Sequence, residues 1–81
     1  MSGSSMVYVY KSLKSPRRWL YLAVKDAFAV VPGGLLDAFG APSFVMAFDL
    51  NRHARLPKIT PEQLRQALSD KGYLSHRVPF G

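Results

Sequence analysis

Residues Met6 to Lys11 alternate between aliphatic and aromatic side chains, the period-two pattern of a β-strand with two covered faces. The same alternation returns at Trp19 to Val24, after the polar and basic stretch from Ser12 to Arg18. The two segments therefore predict two strands joined as an antiparallel hairpin. We expect the aliphatic side chains of the hairpin on one face and its aromatic side chains together on the other: Tyr8, Tyr10, Trp19 and Tyr21.

A third strand is predicted from Ser43 to Leu50, where both faces are apolar. Strands that are apolar on both faces are typical of the middle of a sheet, so we expect a central position. A short helix is predicted from Leu35 to Phe39, ended by Gly40 in a left-handed conformation. Pro32 disfavours helical geometry in the residue before it. The segment Ala27 to Val31 is compatible with strand, turn or helix.

The helix predicted from Pro61 to Lys71 has matching start and stop signals. Thr60 and Gln63 form a T-x-x-Q capping box around Pro61, which suits the first helical position. Gly72 follows as the expected stop. The partly polar segment Tyr73 to Val78 predicts a last strand at an edge of the sheet.

These elements predict an α/β fold, a small α/β/α sandwich in the order β-β-α-β-α-β. It has an N-terminal antiparallel hairpin and two helices on a four-stranded mixed sheet. The length of 81 residues allows one domain, which we place at residues 6–79. Residues 1–5 are small and polar after the initial Met, and we expect a flexible N-terminal lead there.

Several phrases of the chain resemble the YcgL domain family of small proteins from Gram-negative bacteria. They are YVYKS, LYLAVKDAFAVVP, LLDAFGAPSFVMAF, and LP followed by EQLRQALSDKGY. The resemblance runs from about Met6 to Pro79 and implies a stand-alone cytoplasmic α/β/α sandwich. It implies no established activity and supplies no catalytic residues to carry over. The chain departs from the family pattern at Gly33 and Gly34, where relatives tend to carry acidic residues.

Composition excludes some chemistry and favours some partners. The chain has no cysteine, which excludes disulfides, thiol catalysis and Cys-based metal sites. Its longest apolar runs are far shorter than the ~20 residues of a membrane-spanning helix, and no secretory leader opens it, so we expect a cytoplasmic protein away from membranes. The net charge of +6 favours anionic partners such as nucleic acid or acidic protein surfaces.

Two groups of basic residues are candidates for contact with a nucleic acid or another anion. One surrounds the hairpin loop, beside aromatic rings of the kind on which bases stack, and the other follows the third strand, where ligands bind in open α/β sheets. In both cases an ordinary solvated loop is the favoured interpretation, with the hairpin rings covered by a helix. The candidate residues are Lys11, Lys14, Arg17, Arg18, Trp19, Arg52, His53, Arg55 and Lys58.

The remaining candidate chemistry is sparse. Asp49 and His53 have the residue types of an orienting carboxylate and a base, but no nucleophile or second acid is indicated nearby. We expect no catalytic residues, no metal and no cofactor. The predicted function is that of a monomeric, non-catalytic module that binds a protein partner. RNA binding through residues 11–18 and 51–58 is the alternative, and an enzyme with an unrecognised site is the second alternative.

Overall fold

The computed structural model describes residues 6–52 and 59–77. The strands are β1 (Met6–Ser12), β2 (Arg18–Leu22), β3 (Pro42–Asp49) and β4 (Tyr73–Arg77). The helices are α1 (Gly33–Phe39) and α2 (Pro61–Asp70), and a 3-10 helix spans Phe28–Val30. The ambiguous segment before Pro32 thus contains one 3-10 turn. The predicted flexible lead at residues 1–5 lies outside the described residues.

The four strands form one antiparallel sheet in the order β3-β1-β2-β4. The predicted α/β class, the hairpin and the edge position of β4 are confirmed. The prediction of a mixed sheet is wrong, because β1 lies between β2 and β3 and pairs antiparallel with both. The central position predicted for β3 is also wrong, since β3 is an edge strand. Its apolar outer residues are exposed instead of being covered by another strand.

The register of the hairpin decides which side chains share a face of the sheet. Tyr8 is opposite Leu22, and Val9 is opposite Tyr21. Directly opposed residues of an antiparallel pair project to the same face. Each face therefore mixes aliphatic and aromatic side chains, and the predicted division into an aliphatic and an aromatic face is wrong. A shift of one residue in register would have produced that division.

Each mixed face carries its own hydrophobic cluster. The α2-side cluster contains Val7, Val9, Tyr21, Phe48, Leu50 and Leu64, with Leu68 packed against it. The α1-side cluster contains Tyr10, Leu20, Leu22, Val31 and Phe39, with Leu35 and Leu36 packed against it. The two helices thus contribute to different clusters, and the hairpin contributes to both.

Helix α1 starts at Gly33, two residues before the predicted start at Leu35, and Pro32 is its N-cap. Gly33 and Gly34 have open space where a Cβ atom would lie. Gly40 ends the helix with a φ of 82°, positive as the predicted left-handed conformation requires, but its ψ of −155° is not that of a left-handed helical residue. A Cβ atom there would also lie 3.0 Å from Cβ of Lys14, so the hairpin loop packs closely on this glycine.

The predicted capping box of α2 is confirmed. Oγ1 of Thr60 accepts a hydrogen bond from the Gln63 amide at 3.1 Å, and Oε1 of Gln63 accepts one from the Thr60 amide at 3.0 Å. Leu64 is the buried residue of the helix and joins the sheet through the α2-side cluster. Gly72 follows with a φ of 86°, which turns the chain into β4.

Candidate interaction surfaces

The loop between β1 and β2 is held by a buried serine. The Ser12 side chain donates a hydrogen bond to the carbonyl oxygen of Phe39, at the end of α1. The same Oγ accepts from the Ser15 amide at 2.9 Å, and the Ser15 carbonyl accepts from the Arg18 amide at 2.8 Å. Ser12 is fully buried, so these bonds do not compete with water. The basic loop is therefore fixed to the end of α1.

The aromatic residues of the hairpin do not form a stacking platform. Tyr10 is 3% exposed and Tyr21 is 1% exposed, and they lie on opposite faces of the sheet. Tyr8 and Trp19 are half-buried, and they too are on opposite faces. Bases need rings that are open on one side, so the four rings cannot act together as a surface for single-stranded nucleic acid.

Tyr10 belongs to a small polar group at the edge of the α1-side cluster. Its hydroxyl donates to Oδ1 of Asp26 at 2.9 Å and accepts from the Asp26 amide at 2.9 Å. This pair of bonds holds Asp26 at a φ of 60°, a region that aspartate tolerates. Burial raises the pKa of Tyr10, and the Asp26 carboxylate adds to that rise. The tyrosine is thus a neutral structural donor at physiological pH.

The described members of the two predicted basic groups lie at opposite ends of β1. Lys11, near the end of β1 where Ser12 pairs with Pro42, is exposed, and so are Lys14 and Arg17 in the loop that follows. Arg52 is exposed beyond the other end, where Met6 pairs with Asp49. A strand of this length separates the two ends by about 20 Å. His53, Arg55 and Lys58 lie outside the described residues. The predicted pairing of Asp49 with His53 is therefore not described either.

The predicted crevice at the carboxyl ends of strands is wrong for this sheet. Such a site requires neighbouring parallel strands whose carboxyl ends share one edge. Here each pair of neighbours is antiparallel, so the carboxyl ends alternate. Among residues 6–52 and 59–77, no three His, Asp or Glu side chains are placed to hold a metal ion.

The outer edge strand β3 exposes a continuous apolar run that sequence reasoning assigned to the interior. Phe44 is 49% exposed, and Val45 and Met46 are each 37% exposed. The pairing of β3 with β1 shifts register between Val9 and Tyr10, so Val45 has no partner in the ladder. Lys25 extends over the Phe44 ring, with Nζ 5.5 Å from the ring centre. The signal in the sequence was the absence of charge from Pro42 to Phe48.

A second surface feature is a cleft of about 210 Å³ between α2 and the sheet. Its lining is mostly apolar, from Met6, Val7, Ala23, Leu50 and Leu68, with Ser69 and Arg65. The guanidinium group of Arg65 donates to Oδ1 of Asn51 at 3.2 Å. Among the described residues, the only charged side chain that lines the cleft is therefore Arg65, which is already hydrogen-bonded to Asn51, and no carboxylate lines it. This lining favours packing of an apolar group over acid–base chemistry.

In the part of the chain that the structure describes, these features define a small α/β domain with a four-stranded antiparallel sheet, two helices and an apolar edge at β3. The chain belongs to the YcgL domain family, whose model matches residues 7–76. It is 40% identical over 67 residues to a YcgL domain-containing protein of Thioalkalivibrio sulfidiphilus, covering 83% of each chain. It is 36% identical over 78 residues to Protein YcgL of Salmonella paratyphi A, covering 96% of this chain and 71% of the relative.

The names of these relatives state a family and no activity, substrate or partner. The family match and the identities to these relatives confirm the predicted resemblance of the chain to the YcgL family. Within residues 6–52 and 59–77, neither α1 nor α2 has the length and apolar character needed to span a bilayer.

Proposed function

We propose that this YcgL domain is a non-catalytic protein-interaction module that uses the outer edge of β3. The observation that carries the proposal is the exposed run Phe44, Val45 and Met46 on an edge strand. Among the described strands, none pairs with β3 on the side away from β1. An edge strand presents backbone donors and acceptors to which an extended segment of another protein adds as a further strand.

The charge around this edge favours an acidic partner segment. Lys25 lies over Phe44, Lys11 is paired with Ser43 across the β1–β3 ladder, and Lys14 packs near Gly40, just ahead of β3. The net charge of +6 opposes the approach of a second copy of the chain. The partner that fits is an extended segment that alternates apolar and acidic residues.

The two tyrosines with raised pKa values are unsuited to act as general bases. Burial raises the pKa of Tyr21 to about 12, and burial also raises the pKa of Tyr10. Both rings belong to the hydrophobic clusters. Raised tyrosine pKa values favour the neutral form at pH 7, whereas a general base needs a pKa near the working pH.

RNA binding is the alternative, and its support is weaker than the sequence indicated. The rings that were to stack on bases are divided between two faces, and two of them are buried. The described basic residues are separated along β1. A nucleic acid is therefore one outcome of the test below.

The test compares two variants that add the same charge at different exposed positions. Met46→Glu places a carboxylate on β3, and Val24→Glu places one on a position that is 63% exposed and outside the strands. We expect a protein captured from the source cell by the unmodified domain to be retained by Val24→Glu and lost by Met46→Glu. In the complex, hydrogen exchange at the amides of residues 43–47 should slow, since they would gain partners.

Equal loss of the captured protein from both variants would contradict the proposal, as would protection confined to α2. Failure to capture any protein, or capture that nuclease abolishes, would also count against a protein partner. The amide spectrum of each variant verifies that it is folded.

A further inference from the structure

A cleft on the far side of the sheet from β3 is lined by three arginines. It lies where β2 begins and β4 ends, and it has a volume of about 220 Å³. Its lining residues are Ser15, Pro16, Arg17, Arg18 and Arg77. None of the five acidic residues of the chain is among them. Among residues 6–52 and 59–77, the charged side chains that line the cleft are therefore all positive.

Two of these arginines face each other in the sheet. Arg18 of β2 is directly opposite Arg77 of β4, which places their Cα atoms roughly 4.5 to 5.5 Å apart. Both side chains therefore project to the same face of the sheet, where like charges directly opposite each other are destabilising. An arrangement that weakens the free sheet becomes favourable when an anion binds between the two guanidinium groups.

The loop that carries Arg17 and leads into Arg18 is ordered before any ligand binds. The Arg18 amide donates to the Ser15 carbonyl at 2.8 Å, and the Ser15 amide donates to Oγ of Ser12 at 2.9 Å. Nε1 of Trp19 donates to the Pro16 carbonyl at 3.2 Å. A preorganised site loses less conformational entropy on binding than a mobile one.

We propose that this cleft binds the phosphoryl group of a small ligand, with Arg18 and Arg77 as the principal contacts. Guanidinium groups donate two parallel hydrogen bonds to phosphate oxygens, and arginine remains charged at all physiological pH values. Two opposed guanidinium groups, from Arg18 and Arg77, match a multiply charged group such as pyrophosphate better than they match a single carboxylate. The shared chemistry is a di- or polyanionic phosphate, whether free or as a phosphate ester. The site is separate from the β3 edge and does not depend on the protein-binding role.

The experiment is a titration of the whole chain with sodium pyrophosphate at low ionic strength, followed by backbone amide and arginine Nε–Hε shifts. We expect saturable shifts at residues 15–18 and 77. The double variant Arg18→Gln/Arg77→Gln should bind at least about tenfold more weakly, because it loses two charge-assisted contacts. The control Arg52→Gln/Arg65→Gln removes the same charge elsewhere and should bind within about twofold of the unmodified chain. A parallel titration with a nucleoside monophosphate distinguishes a phosphate ester from the free anion.

Equal weakening of both double variants would show a general charge effect and overturn the site. Absence of saturable shifts in the unmodified chain would overturn it too. Much tighter binding of a single-stranded oligonucleotide, with shifts that spread to Lys11, Lys14 and Arg52, would replace the small ligand with a nucleic acid. The single variant Arg77→Gln serves if the double variant does not fold, and it should raise the thermal midpoint in the absence of ligand because it removes the like-charge pair.

Discussion

The hydroxyl group of Tyr21 is buried in the α2-side cluster. Among the described residues it has no hydrogen-bond partner. Its ring contacts that of His76 edge-to-face, with centroids 6.2 Å apart. The ring therefore contributes packing, whereas the hydroxyl contributes only the cost of its desolvation. The same burial raises the pKa of the Tyr21 hydroxyl to about 12.

Replacing Tyr21 with Phe should leave the free energy of unfolding at pH 7 unchanged or raise it by up to about 1 kcal/mol. Above pH 10 the unfolded chain loses the tyrosine proton while the folded chain keeps it. The original chain should therefore lose on the order of 2 kcal/mol between pH 10 and pH 12 through this group. Urea unfolding at pH 7, 10 and 12 measures both effects.

The control for this variant is Tyr73→Phe, at a half-buried ring on β4. This variant retains Tyr21, so its free energy of unfolding should still fall between pH 10 and pH 12 by the amount that Tyr21 causes. If Tyr21→Phe declines between pH 10 and pH 12 as steeply as the original chain, Tyr21 is not the group responsible.

At the scale of elements, the most predictable part of the chain was α2. Its start depends on local signals, namely Thr60, Pro61 and Gln63, and local signals can be read without knowledge of the fold. The position of β3 depends instead on pairing with β1, which is remote in sequence. The apolar character of Phe44 and Met46 is compatible with a covered strand and with an interaction surface, and sequence alone does not separate the two.

The faces of the hairpin were mispredicted for a related reason. The alternation within each strand was read correctly, and the strands do pair. Which faces combine depends on the register, and the register depends on the conformation of the loop. Ser12 fixes that loop through a carbonyl of α1, so the decisive contact crosses between elements. The anion cleft was partly visible in Arg17 and Arg18, but Arg77 joins it only through the β2–β4 pairing.

The capping box of α2 yields a prediction for the whole helix. Thr60→Ala removes the acceptor for the Gln63 amide, and we expect a loss of about 0.5 to 2 kcal/mol in the free energy of unfolding. Thr60→Ser keeps a hydroxyl acceptor and should lose much less. Urea denaturation of both variants gives the comparison, and equal losses would mean that the methyl group of Thr60, not its hydroxyl, stabilises the helix start.

At the scale of the whole molecule, the excess of positive charge opposes compaction. Eleven Lys and Arg residues face five acidic ones, so self-repulsion is expected to lower the stability at low ionic strength. Raising the salt concentration from about 0.01 M to about 0.15 M shortens the Debye length from about 30 Å to about 8 Å. The same change should also weaken any anion bound by the arginine cleft.

We therefore expect sodium chloride to raise the urea midpoint of unfolding over this range. The variant Arg52→Gln/Lys71→Gln, which lowers the net charge by two at exposed positions, should respond less. Circular dichroism at each salt concentration measures the midpoint. A midpoint that falls with salt would mean that attractive pairs outweigh the excess positive charge.

The strand order β3-β1-β2-β4 also determines how the sheet grows during synthesis. Among the described strands, the two central ones precede both edge strands along the chain, so each edge strand is synthesised after the hairpin. The nascent hairpin therefore has two unpaired sides until β3 and then β4 emerge. Addition of β3 covers the free side of β1 and addition of β4 covers the free side of β2, so among the described residues the outer sides of β3 and β4 remain unpaired. A partner segment bound along the outer side of β3 would extend the sheet in the same way that β3 extended the hairpin, by pairing with an edge strand already in place.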